Sequence, residues 1–336
     1  MHPVSERVRV ACALALLLVL GAVAGCAGPD LAKVTFARTT VPAGGLQNGP
    51  PSETPKADDP IFSVDRLKQL DPCQIMDKEA LASLGTVGGD NRLEDYQQCA
   101  NYRIKDTAGK DIGVTLYLGR DYTGDVKDAN KNLAGLATRI RSSTSQSCFV
   151  DMIIQRDPDR SITIQISHEG GDPCADGRKV AVSVVNKLRE GTPKLPVEKG
   201  SLVATDPCTI VDDAAVGGVI GGSPKKAPKD LHQCKWTAST GASTYVSMQF
   251  MLGTDPTKGY SRSPIFVDLG GGVRASQTSE TGYSGRCELE WATRPLSDNR
   301  AELVHVTYSR SPAQAGEDMC GKLVALAKAA AGKLPK

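Results

Sequence analysis

Apolar and polar residues alternate with a period of two in several segments of the chain. The clearest are Val114-Thr115-Leu116-Tyr117-Leu118 and Ile162-Thr163-Ile164-Gln165-Ile166. Such alternation predicts strands that bury one face and expose the other. The pattern predicts strands in two groups along the chain: residues 101–105, 113–118, 148–155 and 162–168, then residues 245–252, 287–292 and 302–308.

Helical spacing follows each group of strands. Residues 173–189 place Val180, Val184, Val185 and Leu188 on one face, and residues 313–331 are rich in Ala and Leu. Residues 125–140 also look helical, whereas the corresponding segment 256–272 contains Pro264 and three consecutive glycines and is expected to be a loop. The predicted fold class is therefore α+β, with antiparallel sheets packed against N-terminal and C-terminal helices.

The first 25 residues have the pattern of a cleaved signal peptide. Arg7 and Arg9 precede an uncharged apolar run that ends at Ala24. A membrane-spanning helix needs about 20 apolar residues, so this run is too short to be a permanent transmembrane segment. Val23-Ala24-Gly25-Cys26 resembles the lipobox of bacterial lipoproteins. The resemblance implies that Cys26 becomes the N-terminus of the mature chain and carries a diacylglycerol, which anchors the protein to the membrane. The alternative is ordinary cleavage with Cys26 left as a free thiol.

Residues 26–60 are predicted to be a flexible tether. They contain Pro, Gly and Thr without helical or strand periodicity, as in Asn48-Gly49-Pro50-Pro51-Ser52.

The remaining chain contains an internal repeat. After Cys12 and Cys26 are set aside, eight cysteines form two sets of four, and the first gap in each set is 26 residues with an offset of 135. Asp71-Pro72-Cys73 matches Asp206-Pro207-Cys208, and Gln98-Cys99 matches Gln233-Cys234. Fixed-period similarity of this kind indicates duplication. We predict two homologous domains, residues 61–197 and 198–336.

The eight cysteines are expected to form disulfides, because a secreted chain is exposed to oxidising conditions. Four cysteines in each domain allow three connectivities. The strict spacing of the first pair favours Cys73 with Cys99, Cys148 with Cys174, Cys208 with Cys234, and Cys287 with Cys320. A zinc site is disfavoured, since no two of these cysteines have the short spacing of structural zinc ligands.

Composition excludes several classes of function. Lys and Arg number 40 against 38 Asp and Glu, which is far from the basic excess of a nucleic-acid-binding protein. Aromatic residues make up only 4% of the chain, and this argues against a stacking platform for sugars or single-stranded nucleic acid.

The lipobox, the Pro-rich tether, the Asp-Pro-Cys start and a later Gln-Cys-x-Trp strand together resemble a domain-of-unknown-function family of actinobacterial envelope lipoproteins. The second domain has the aromatic residue, in Cys234-Lys235-Trp236, whereas the first has Asn101 at that place. The resemblance covers nearly the whole mature chain as two copies. It implies a lipid-anchored, extracytoplasmic location and carries over no catalytic residue.

Catalysis would require a nucleophile activated by a positioned base. The mature chain has three histidines, His168, His232 and His305. Aligning the strands places His168 opposite Tyr308 and His305 opposite Gln165, so no histidine recurs between the domains. Structural roles are expected for all three.

Other motifs are weak. Ser223-Pro224-Lys225-Lys226 fits Ser-x-x-Lys but lies among Gly and Pro in an expected loop, and Gly282-Tyr283-Ser284-Gly285 falls short of a nucleophile elbow. Gly270-Gly271-Gly272 lacks the context of a phosphate-binding loop, and the oxygen-rich segment from Asp121 has Asn132 where a calcium loop needs Glu.

Polar residues present in both domains are the only sites that a duplicated binding function could share: Asp77 and Asp212, Gln98 and Gln233, and Asp121 and Asp255. Each also has a structural explanation as a helix cap or a strand-edge residue, and a helix N-cap is the expected role of Asp121 and Asp255. Asp71 and Asp206 suit N-caps ahead of Pro at the first helical position.

The sequence therefore predicts a non-enzymatic binding or interaction module on the outer face of the cell membrane, with no cofactor, no metal and no nucleic-acid partner. Its partner would be an envelope protein, a wall component or a small ligand. The alternatives are a sensor or accessory subunit of a membrane protein and a cell-wall or lipid hydrolase. The hydrolase would require a Ser/His/Asp or metal cluster to come together in space, with at least two of His168, Ser284, His305 and an acid within reach of each other.

Overall fold

The computed structural model describes residues 59–239, 243–258, 265–297 and 299–336. The predicted signal peptide, Cys26 and all but the last two residues of the tether lie outside these ranges. Both sheets of the fold belong to one compact unit.

The first half of the fold is a sheet preceded by short helices and followed by a long one. The short helices are α1 (Val64–Leu67), α2 (Pro72–Ile75) and α3 (Lys78–Leu81), and the long helix is α4 (Pro173–Glu190). The strands are β1 (Thr86–Val87), β2 (Arg92–Asp95), β3 (Gln98–Lys105), β4 (Asp111–Asp121), β5 (Lys131–Leu133), β6 (Leu136–Thr144), β7 (Ser147–Gln155) and β8 (Arg160–His168).

The second half repeats this plan. Helix α5 (Asp213–Ile220) precedes the strands and helix α6 (Met319–Ala331) follows them. The strands are β9 (Pro224–Asp230), β10 (Gln233–Ala238), β11 (Ser243–Thr254), β12 (Ile265–Gly270), β13 (Val273–Glu280), β14 (Gly285–Pro295) and β15 (Arg300–Ser311).

The two antiparallel sheets have the same strand order. The first runs β1-β3-β4-β8-β7-β6-β5, with β2 also paired to β3, and the second runs β9-β10-β11-β15-β14-β13-β12. Each sheet buries one face under its closing helix, so apolar residues of alternate strand positions form a core between sheet and helix. The α+β class is confirmed. The homology of the halves and the division at residue 197 stay predictions.

Strand register corrects one sequence alignment. Cys148 lies opposite Ile166, and Cys287 lies opposite Tyr308. Ile166 and Tyr308 therefore hold equivalent positions, and the alignment of His168 with Tyr308 is wrong by two residues. The same shift pairs His305 with Thr163, so the two halves still share no histidine.

The predicted helix at residues 125–140 is wrong. Residues 131–144 form the β5–β6 hairpin, which turns at Ala134 and Gly135 with φ of 49° and 81°. Positive φ at both central residues is the signature of a type I′ hairpin turn, which the helix-forming composition of this segment conceals. The loop expected at residues 256–272 is also wrong in part, since β12 and β13 form the equivalent hairpin around Gly271 and Gly272.

Four disulfides join Cys73 with Cys99, Cys148 with Cys174, Cys208 with Cys234, and Cys287 with Cys320. These are the four pairs that the spacing favours. Each links a strand to the second residue of a helical turn whose N-cap is an aspartate, namely Asp71, Asp172, Asp206 or Asp318. Four disulfides are typical of an extracytoplasmic protein. Among the helices of the described residues, none has the length and apolar character to cross a bilayer.

The two halves meet through exchanged side chains. Tyr96, in the turn between β2 and β3, lies in the core of the second half, where its ring stacks on His232 with centroids 4.7 Å apart. Leu231, in the equivalent turn between β9 and β10, lies in the core of the first half against Gly119. Because each half contributes the same patch, the contact is isologous, as at a two-fold dimer interface.

Polar contacts follow the same two-fold pattern. The guanidinium groups of Arg160 and Arg300, the first residues of β8 and β15, donate hydrogen bonds to backbone carbonyls of the opposite half: Arg160 to Lys229 and Arg300 to Leu93 and Glu94. Asp95 and Asp230, the last residues of β2 and β9, each accept a backbone N–H from the other half, Asp95 from Leu252 at 2.9 Å and Asp230 from Asp121 at 2.8 Å.

Candidate functional site

A cleft of about 600 Å³ lies where the end of β4 meets the exposed face of the second sheet. Arg120, Asp121 and Thr123 form one wall, and side chains of β9, β10, β11, β14 and β15 form the rest. Alternation along β10 and β11 turns polar residues away from the helix-covered core and into this cleft. The volume is that of a small-molecule site.

Two cations of the cleft lie over tyrosine rings. The Cζ atom of Arg120 lies 4.9 Å from the ring centroid of Tyr117, and the Nζ atom of Lys235 lies 3.9 Å from that of Tyr245. Among the described residues, neither side chain forms an ion pair or a hydrogen bond, although the charge of Asp121 acts on Lys235 and that of Arg120 acts on Asp230. Burial and the neighbouring charge of Lys229 lower the pKa of Lys235, since both disfavour its ammonium form.

Two carboxylates stand beside these cations. Asp121 lies 3.5 Å from the ammonium of Lys229. Burial raises the pKa of Asp230, although its hydrogen bond from the Asp121 N–H and the nearby charges of Arg160 and Arg120 act in the opposite direction. Asp121 and Asp230 together offset only part of the charge of Arg120, Lys229 and Lys235, so this side of the cleft is on balance cationic.

The far wall carries a histidine between two acids. The Nδ1 atom of His305 lies 3.4 Å from Glu290 Oε2, and its Nε2 lies 3.1 Å from the Thr307 hydroxyl and 3.5 Å from Glu288. Burial acts to lower the pKa of His305, but the hydrogen bond to Glu290 and the charges of both glutamates outweigh it, so the pKa is raised. The order hydroxyl, imidazole, carboxylate is that of a nucleophile triad, with a threonine as the hydroxyl residue.

His168 lies in a different place and has a structural role. Its Nδ1 is 2.7 Å from Asp176 of α4, and its Nε2 is 3.1 Å from Asp106 in the β3–β4 turn. Burial opposes protonation, but the hydrogen bonds to Asp106 and Asp176 raise the pKa of His168 overall. The side chain therefore ties the end of β8 to a helix and a turn, and a carboxylate contacts each of its ring nitrogens.

His232 is part of the interface between the halves. Its Nε2 hydrogen-bonds to the Val203 carbonyl at 3.0 Å, and burial lowers the pKa of His232 to about 4. It is therefore neutral at physiological pH.

The duplicated polar residues divide into caps and cleft residues. Asp77 and Asp212 accept the backbone N–H of Ala80 and Ala215 and cap α3 and α5, as predicted. Asp121 is not a helix cap, because it ends a strand. Asp255 accepts the N–H and the hydroxyl of Thr257 in a turn. Of the six residues, Asp121 and Gln233 line the cleft.

The weak catalytic motifs do not assemble. Lys226 pairs with Asp213 at 3.2 Å rather than with Ser223, and the segment is strand β9 instead of the expected loop. The Ser284 hydroxyl donates to the Ser311 hydroxyl at 2.8 Å, and no histidine is among its contacts. Within the described ranges, no group of three metal-ligating side chains is present.

Sequence reasoning missed Lys235 and Arg120. A usable signal lies in Cys234-Lys235-Trp236, where alternation between two buried residues forces Lys235 onto the opposite face of β10. Nothing in the sequence indicates that Arg120 would meet this face, since that contact depends on how the halves dock.

Comparisons with models of protein families, with curated proteins and with solved structures found no match for this chain.

Proposed function

We propose that the protein is a lipid-anchored extracytoplasmic binding module that holds a small polar molecule in the cleft between its two halves. The observation that carries this proposal is the cleft itself: about 600 Å³, lined almost wholly by polar side chains, with two cations that form no ion pair among the described residues. A non-enzymatic role agrees with the structural roles of His168 and His232.

The anchor rests on separate support. The Val23-Ala24-Gly25-Cys26 segment resembles a lipobox, the four disulfides are typical of a secreted chain, and the motifs resemble the actinobacterial envelope lipoproteins. Mass spectrometry of the mature N-terminus tests it. We expect a diacylglycerol-modified Cys26 at the first position, and an unmodified Cys26 or a retained Met1 would overturn the anchor.

A blocked cleft tests the binding role. Ser247 is 8% exposed and faces the cleft from β11, so Ser247→Trp fills the cavity. Ser167→Trp places the same ring on the exposed face of the first sheet and is the matched control. We expect small molecules that co-purify with the native protein to be lost from S247W and retained by S167W. Equal recovery from both variants would contradict the proposal.

The hydrolase alternative has one observation in its favour, the Thr307, His305 and Glu290 arrangement. It predicts ester or amide hydrolysis that is lost in Thr307→Val.

The sensor or accessory-subunit alternative predicts that crosslinking in the native envelope captures an integral membrane protein.

A further inference from the structure

We propose that the cleft recognises its ligand through a phosphate ester, which the side chains of Arg120 and Lys235 clamp from the two halves of the molecule. This inference rests on the proposed binding function and names the chemistry of the ligand.

The Lys and Arg side chains of the cleft differ in whether they form ion pairs. The other two cations of the cleft already have partners, since Lys229 pairs with Asp121 and Arg286 pairs with Glu288. Arg120 and Lys235 instead rest on tyrosine rings. A ring face attracts a cation and limits its movement, and it leaves the charge available to an anion.

The two side chains come from different sheets. Arg120 belongs to β4 of the first sheet, and Lys235 belongs to β10 of the second. The exchanged turns and the Arg160 contact to the Lys229 carbonyl hold these strands against each other. The two cations are therefore positioned before a ligand arrives, which reduces the entropy lost on binding.

The surroundings of Lys235 also favour an anion. Lys235 is partly buried and lies close enough to Lys229 for their charges to repel. An anion beside Lys235 would relieve both penalties, because it compensates desolvation and separates like charges. Guanidinium and ammonium groups are the usual protein partners of phosphate.

The remaining lining indicates what the phosphate is attached to. Gln233, Gln249 and Ser247 add neutral hydrogen-bonding groups around the cations, and the cavity is larger than a single phosphate ion requires. A polar phosphate ester fits this lining. It could be a free sugar phosphate or the head group of an anionic phospholipid, and the phosphate ester is the chemistry that they share.

Calorimetric titration of the full-length protein in detergent tests the proposal, with glucose 1-phosphate as probe and glucose as the uncharged comparison. We expect glucose 1-phosphate alone to bind, and Arg120→Gln and Lys235→Gln each to weaken it by about tenfold or more. Arg274→Gln is the matched control, because Arg274 also lies over an aromatic ring, that of Phe266, but outside the cleft. Its affinity should equal that of the unmodified protein.

Competition separates the two sources of the phosphate. Dihexanoyl phosphatidylglycerol that displaces glucose 1-phosphate would assign the site to a lipid head group, and failure to displace it would assign the site to a soluble ester. Binding of glucose as tight as that of glucose 1-phosphate, or unchanged affinity in both R120Q and K235Q, would overturn the phosphate proposal. If the native molecule is still lost from S247W in that case, the binding function stands and only the ligand chemistry fails.

Discussion

Tyr96 and Leu231 occupy equivalent turns, two residues before Gln98 and Gln233, and each is buried in the core of the opposite half. Tyr96 is 3% exposed and Leu231 is 1% exposed. The halves are therefore joined by exchanged core residues as well as by the chain that links them.

Leu231→Ala should reduce the free energy of unfolding by roughly 2 to 5 kcal/mol, as expected for a truncated core residue. The lost contacts belong to the first core, so hydrogen exchange should accelerate there, at the Leu118 amide for example, although the substitution is in the second half. Leu269→Ala, within the second core, is a comparison that should spare the first. Accelerated exchange confined to the second half of L231A would contradict the exchanged arrangement.

Arg300 should contribute more to the free energy of unfolding than its equivalent Arg160. Its guanidinium donates to the Leu93 and Glu94 carbonyls at 2.6 and 2.9 Å, whereas Arg160 reaches the Gly119 and Lys229 carbonyls at 3.2 and 3.4 Å. Burial lowers the pKa of Arg160, and its Nε atom has no partner.

We therefore expect Arg300→Met to cost about 2 to 3 kcal/mol in urea unfolding, and Arg160→Met to cost distinctly less. Arg92→Met, at an exposed ion pair, should change stability by under about 0.5 kcal/mol. A larger loss in R160M than in R300M would refute this ranking.

Asp95 should make the protein less stable as the pH rises. Burial raises the pKa of Asp95 from 3.8 to about 6, with the Asp230 charge acting in the same direction and the Leu252 and Tyr96 amides and Arg300 opposing it. Between these two values the folded state holds a proton that the unfolded state has released, so unfolding becomes easier with increasing pH.

Above pH 6 Asp95 is ionised in the folded state, and its charge lowers the free energy of unfolding by about 3 kcal/mol. Asp95→Asn keeps the acceptor oxygen for the Leu252 N–H and removes the charge. Its unfolding free energy should exceed that of the unmodified protein by up to about 3 kcal/mol at pH 7.5 and match it below pH 4. Lower stability of D95N at pH 7.5 would show that the buried carboxylate is favourable.

The four disulfides should contribute similar amounts to the free energy of unfolding. Three of them close loops of 26 residues and the fourth closes one of 33. The chain-entropy relation assigns about 3.5 kcal/mol to each shorter loop and slightly more to the Cys287–Cys320 loop. Replacing each pair by Ala in turn and measuring unfolding in urea checks this. A pair whose removal costs under about 1 kcal/mol would show that the linked segments stay close in the unfolded chain.

Local patterns predicted much of this fold. Alternating residues located strands β4 and β8, the Asp-Pro-Cys sequences marked helix starts, and the cysteine spacing gave the disulfide pairs. The β5–β6 hairpin was predicted as a helix because Leu133-Ala134-Gly135-Leu136 has helical composition. Only the positive φ of its two central residues makes it a turn.

The cleft could not be predicted for a different reason. Its two walls come from strands β4 and β10, and their contact depends on the docking of two sheets, which no local periodicity encodes. Gly119 illustrates the point. A side chain at residue 119 would collide with Leu231, 112 residues away, yet the sequence marks this glycine only as a strand interruption.

The exchange of Tyr96 and Leu231 has a consequence for the peptide that connects the halves. Each half alone would expose a turn that fits the other's interior and would leave a gap where the partner's side chain belongs. A chain severed near residue 197 should therefore yield two fragments that reassociate into the native fold when expressed together. The linking peptide keeps the two halves close together, while the exchanged residues determine how the halves fit each other.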